Sequence, residues 1–186
     1  MTVKDIVKSS AMLLSREDIC DYLSGNQGGI GDDTIPTLNT MVTLLNLVIS
    51  ELSATYIPMV KREQVEFTGG KFYYTALNNT PLRVIKVYDI NGREISHTEN
   101  ALFISANIDK AIVEYEFVPP NYDLEESIGY SEKDISQGAL AFGLASEYCI
   151  CKGAFDEAVM WHKRYVESVN AVRKIENVKL KARSWE

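Results

Sequence analysis

The hydrophobic period of this chain changes twice, and the change limits its architecture more than any other feature. Apolar residues recur at about 3.6 up to residue 58, at about 2 from Lys61 to about residue 118, and at 3.6 again from about residue 134. A helical stripe and an alternating strand cannot share one regular element. The reading is therefore an α+β chain. A small antiparallel β module (61–120) is inserted into a helical bundle, with N-terminal helices in 1–60, C-terminal helices in 121–176 and an extended arm in 177–186.

In the first segment, Val3, Ile6, Val7, Ala11 and Leu14 share one helical face. A second short helix is expected after Ser15, whose hydroxyl would cap it with Asp18 bonding back, and Gly25 ends it. Residues 24–33, SGNQGGIGDD, are a glycine-rich loop. A phosphate cradle needs Gly-Lys-Ser/Thr or GxGxxG between a strand and a helix. Neither is present, so the expectation is a surface loop. Asp32, Asp33 and Thr34 open a long helix to about Tyr56, with Pro36 in its first turn and Pro58 after it. Leu38, Met41, Val42, Leu45, Val48, Ile49 and Leu52 line one face, and Leu44 and Leu47 add a flank. That breadth predicts the central helix of the bundle, buried on more than one side.

Five or six short strands are expected between residues 63 and 118. Gly69-Gly70 predicts a two-residue hairpin between 64–68 and 71–75, and Asn91-Gly92 a tight turn between 82–89 and 93–97. Val113, Tyr115 and Phe117 alternate with Glu114 and Glu116, one face in and one out. Pro119-Pro120 ends the sheet.

Residues 134–176 read as two helices broken at Gly153, the first capped by Ser131 or Asp134. The first is rich in small residues: Gly138, Ala139, Ala141, Gly143 and Ala145. With Phe142 these mark a close-packing face, directed at the helix 38–56 of the same chain or of a neighbouring subunit. In the second, Phe155, Val159, Val166 and Val169 form the apolar side, with His162 a half-buried packing residue on the same line.

The chemistry-bearing residues converge on no motif. His97 and His162 lack a histidine or cysteine at ligand spacing. Cys20, Cys149 and Cys151 are odd in number, without the spacing of a disulfide framework or a CxxC site, and read as free thiols of a reducing compartment. No GxSxG elbow occurs. The carboxylate pairs Asp32-Asp33 and Glu125-Glu126 fit a helix start and a solvated loop. The expectation is a non-enzymatic protein without metal or cofactor. Its net charge of −7 and pI of about 5.0 argue against nucleic-acid binding through a basic patch. No secretion signal is legible at the N-terminus, and the run 41–52 is too short and too polar to span a bilayer. The last ten residues lose periodicity. Lys179, Lys181 and Arg183 alternate with Leu180 and Ala182, and Trp185 lies next to the end. They read either as a disordered end or as an arm docking on another subunit, anchored by Trp185.

The order of elements resembles the head–tail connector (adaptor) proteins of tailed bacteriophages: two short N-terminal helices, a glycine-containing loop, the long helix, a hairpin-rich β insertion and a final helical pair. The run ALAFGLASEYCICKGAFDEAVMWHKRY (139–165) is similar in character to connectors of phages infecting Firmicutes or gut bacteria, and IVEYEFVPPNYD (112–123) resembles the end of their β insertion. The resemblance implies a virion protein, made in the host bacterial cytoplasm, that forms a homo-oligomeric ring below the portal, commonly twelve-fold. Its partners would be the portal, a downstream tail or ring protein, and DNA passing through without sequence-specific binding. By position alone, Lys179, Leu180, Lys181, Arg183 and Trp185 would form the portal-binding arm, and Gly138, Ala139, Phe142 and Gly143 would pack subunits. A cytoplasmic protein-binding or regulatory module without catalysis is the alternative.

Overall fold

The computed structural model describes residues 1–26 and 31–178, with side chains through Val172. It is a mixed helical and sheet protein that divides into two units. The helical unit comprises Met1–Leu52 and 121–178 of its C-terminal half, and the β unit comprises Ser53–Pro120.

In the helical unit, α1 (Val3–Leu13) begins with a complete capping box between Thr2 and Asp5. Two of its free N–H groups, those of Val3 and Lys4, donate to the carbonyls of Glu126 and Leu124. These bonds tie the N-terminus to the connection that follows the β unit. The capping role expected of Ser15 is not realised. Ser15 has φ +55°, the left-handed conformation that turns the chain out of α1. The N-cap of α2 (Glu17–Leu23) is Arg16, without a side-chain bond. Asp18 instead takes the Arg16 guanidinium at 2.8 and 2.9 Å and the Thr34 hydroxyl at 3.1 Å.

Helix α3 (Thr34–Glu51) continues into a π-helical turn (Leu52–Tyr56). The stretch Thr34–Tyr56 reaches a mean hydropathy of 1.3, so by length and composition it could cross a membrane, unlike the shorter run considered from sequence. Its inner face instead packs on α1, α2 and α4, burying Leu38, Met41, Leu45, Val48 and Ile49, as in a core helix. Helix α4 (Gln137–Cys151) likewise contacts three helices, α1, α3 and α5 (Phe155–Val178), so the central position expected of α3 is shared with α4. Glu147 is the only charged residue of α4, as suits a helix enclosed on several sides. Its N-cap is Ser136, whose hydroxyl accepts from Ala139 N at 3.2 Å. Ser131 and Asp134 form a separate turn upstream, where the Asp134 carboxylate accepts from the Ser131 backbone N and hydroxyl. Gly153, at φ +78°, separates α4 from α5.

The β unit has six strands in two antiparallel sheets. One has the order β1-β6-β3, from Met59–Glu66, Lys110–Phe117 and Pro81–Tyr88; the other has the order β2-β5-β4, from Lys71–Tyr73, Phe103–Ser105 and Thr98–Glu99. The turn at Gly69-Gly70 forms with positive φ at both glycines. Its hairpin is only a single bridge, Thr68 to Lys71. Beyond it β1 pairs with β6 and β2 with β5. The turn thus sends the chain from one sheet to the other. At Asn91-Gly92 the return is likewise a single bridge, Tyr88 to Glu94. Both sheets contribute to one apolar cluster that includes Val65, Phe72, Val87, Ile104, Val113 and Tyr115.

Candidate interaction surfaces

Charge pairs set by strand register lie on the sheet's strands beside the exposed apolar side chains Val60, Leu82 and Ile85. Arg62 opposes Glu114 and Arg83 opposes Glu116 across β6, at 3.0 and 2.6 Å. The Tyr88 hydroxyl donates to Glu114 at 2.8 Å, and the Arg62 guanidinium lies 5.3 Å from the centre of the Tyr88 ring. The Tyr88 hydrogen bond is the main cause holding the Glu114 carboxyl below its usual range. Under this face, the buried Tyr115 hydroxyl donates to Glu63 at 2.5 Å. Burial first, and then that carboxylate, push the Tyr115 phenol upward. A shallow cleft in the same unit is lined by Tyr74, Arg83, Glu99 and Asn100. Burial and Glu99 push the Tyr74 phenol up to about 12, so it stays neutral and supplies no nucleophile at neutral pH.

The four sequence-predicted packing residues occupy different environments. Gly143 is the tightest. A Cβ there would lie 2.8 Å from Val48 Cγ1 of α3 and 3.1 Å from Tyr165 Cδ2 of α5. Of the two targets open from sequence, Gly143 meets α3 of its own chain. Ala139 is buried at the α4 cap, whereas Gly138 is exposed with nothing within 4 Å of a Cβ. Phe142 stacks on Trp161 at 5.8 Å and 14°, and the Arg164 guanidinium lies over both rings. Lys179, Leu180, Lys181, Arg183 and Trp185 lie outside the described residues.

The apolar side of α5 differs from the sequence expectation. Ala158, Trp161, Tyr165 and Val169 are its buried face. Phe155 and Val159 are 66% and 70% exposed, His162 is exposed, and Val166 is half-buried. Both sets recur at helical spacing on adjacent arcs, so periodicity alone does not choose between them. On α3, Leu47 is 55% and Ile35 48% exposed. The rest of its exposed face up to Glu51 is uncharged, including Pro36, Asn39 and Thr43. Beside Leu47, the Asn46 side chain bonds both backbone polar atoms of Tyr122, at 2.8 and 3.0 Å. This clamp builds one wall of a groove that runs from Val42 and Leu47 to Asp123. The unpaired apolar surface of α3 and α5 is the feature that sequence reasoning missed. The signal available was the lack of any charge from Thr34 to Ser50.

The remaining chemistry-bearing groups are dispersed. His97 is half-buried near the Ile95 carbonyl. Cys149 is buried, and burial, then Glu157 at 3.9 Å, raise its thiol's pKa, which makes it a poor nucleophile. Among the described residues, no three His, Cys, Asp or Glu side chains converge on a metal-sized site. Searched against models of known protein families and against curated proteins, the chain has no match.

Proposed function

We propose that this chain is a structural virion protein, a connector that assembles as a ring below the portal, joins phage head to tail and lets DNA pass. The observation that carries the reading is the way the chain is divided. Both ends build one helical unit, and a β unit is inserted between Leu52 and Asn121. The order matches the connector resemblance: two short helices, a long helix, the strands, then a helical pair. In this reading the helical unit is a bundle that packs between subunits; Ala139, Phe142 and Gly143 pack inside that bundle, and of the four residues expected to pack subunits the exposed Gly138 is the one left to face a neighbour. Beyond α5, which runs through Val178, Lys179, Leu180, Lys181, Arg183 and Trp185 are the residues that dock on the portal in this reading.

The mechanism is assembly without catalysis. Each subunit adds modest contacts, and ring closure makes them collective. A DNA passage works best without rows of fixed cations, because every phosphate contact adds salt-sensitive binding. The net charge of −7 suits that requirement. Electron microscopy and mass photometry of the protein mixed with the portal of its own phage test the reading. A ring on the portal is the expected result. A chain that never binds portal and stays monomeric contradicts it, and would favour a cytoplasmic binding module.

A further inference from the structure

Strand β1 stands at the end of its sheet, with β6 on one side only. The Phe67 N–H donates to the Asp109 carbonyl at 2.7 Å, in the register of β1 on β6, so the odd-numbered residues of β1 turn their backbone groups to β6. Val60, Arg62, Gln64 and Glu66 therefore turn theirs outward, as Thr68 does where it bonds Lys71. Among the described residues, no backbone group bonds these four on that side. The other long edge, β3, is blunted. It opens with Pro81, its register shifts twice, and its Val87 carbonyl takes the Ile95 N–H. Strand β1 has no proline, glycine or register shift, and its edge is guarded by charge alone. Those charges have an order. Arg62 and Glu66 flank Gln64 symmetrically, and all three are exposed.

We propose that two copies of this chain join their sheets through β1, antiparallel about a two-fold axis at Gln64. Arg62 of each copy then opposes Glu66 of the other, and the outward-facing residues from Arg62 to Glu66 exchange backbone hydrogen bonds in pairs. The pairing stops at Glu66, because Lys71 already holds the outward groups of Thr68. Across the joined strands the outward row reads Lys86, Glu114, Arg62, then Glu66 and Lys110 of the second copy, alternating in sign at every step. Arg62 keeps Glu114 at 3.0 Å and Glu66 keeps Lys110 at 2.9 Å, so the new contacts extend two existing pairs. Neighbouring registers are worse. Centring on Lys61, Arg62 or Glu63 sets that residue's charge against itself, and centring on Val65 sets Arg62 against the occupied Thr68. On the inward face Glu63 meets Val65 of the second copy. The two Glu63 carboxylates are diagonal to each other, and in each copy Lys61 at 4.0 Å, the Tyr115 hydroxyl and the Asn78 N–H balance that charge. A strand that complements itself in this way selects a second copy over an unrelated strand. An isologous contact closes at two copies, so it stands beside the ring reading and does not rest on it.

Charge reversal in the full chain tests the pairing and its register. In sedimentation velocity at rising concentration the parent should dimerise. Arg62→Glu and Glu66→Arg, each alone, oppose like charges across the axis and should each weaken dimerisation by roughly tenfold or more. An equimolar mixture of the two should recover a heterodimer, because one variant then carries two cations at the edge and the other two carboxylates. Gln64→Pro removes an outward N–H, keeps the bonds to β6 and should abolish the dimer while melting near the parent. Circular dichroism and thermal melting check that each variant folds. Should Arg62→Glu unfold beside Glu114, Glu66→Arg and Gln64→Pro, both at exposed positions, still decide. A parent that stays monomeric, or variants that dimerise as the parent does, would overturn the proposal. Weakened variants whose mixture recovers nothing would overturn the register. Neither result bears on portal binding, which tests the ring reading separately.

Discussion

The outward face of strand β6 and the outward faces of helices α3 and α5 are finished in different ways. On the sheet, antiparallel register places Arg62 and Arg83 opposite Glu114 and Glu116, so the outward positions of β6 meet opposite charge. On the helices, α3 exposes Ile35 and Leu47 with no charge before Glu51, and α5 exposes Phe155 and Val159. Both units have good cores, so folding alone does not account for the difference. A solvated face tolerates paired charges at little net gain. A face that will be covered gains from apolar groups and loses from charges without partners. The β unit also exposes Ile90 and Leu102, at 65% and 68%, so the contrast lies between the paired-charge face of β6 and the uncharged face of α3 rather than between the two units as wholes.

The strongest blow to this comparison would come through the helical core. Leu144→Ala, at a fully buried position of α4, should cost about 2–5 kcal/mol in denaturant unfolding. A much smaller loss would mean that the helical unit is loosely packed and that its exposed apolar residues need no partner. Gly143→Ala should be next. The gain in helix propensity, about 1 kcal/mol, opposes overpacking of about 1–3 kcal/mol against Val48, whose β-branched side chain is stiff. Net destabilisation by thermal melting is expected. Gly138→Ala, with open space around it, should stabilise by up to about 1 kcal/mol.

The smallest effect should fall on the sheet's charges. Arg83→Ala should cost about 0.2–1 kcal/mol and lose that difference in high salt. A larger loss would make the sheet face structural as well as solvated. On the helical side, acid offers a matching probe. The Arg16 hydrogen bonds hold the Asp18 carboxyl down at about 2, from an ordinary 3.8. The stability this contributes is complete above 3.8 and is lost as pH falls through about 2. Asp18→Asn should flatten the acid limb in that window, read by fluorescence-monitored unfolding.

The change of hydrophobic period made the α+β class legible, because period is a local property; the strand edges were less so, since β1 starts at Met59 and the return expected over 93–97 is only the bridge at Glu94. Partner choice was less legible. Gly69-Gly70 announced its turn, but β1 pairs with β6, far along the chain, and a local signal cannot carry that register. Ser15 followed by Asp18 fitted a capping box, yet the nearby Arg16 is the stronger partner for Asp18, and Ser15 is left to make the left-handed turn. The α5 face was misphased because Ala158 and Trp161 draw less attention than Phe155 and Val159 on the neighbouring arc. Gly143 was legible as a close approach; that its neighbours are α3 and α5 at once needed coordinates.

The central proposal is that the chain is a connector that assembles as a ring on the portal. Electron microscopy of the full chain mixed with the portal of its own phage, with mass photometry of the same mixture, tests it most directly. The account predicts closed rings of the chain seated on the portal. A chain that stays monomeric and never binds the portal would contradict it.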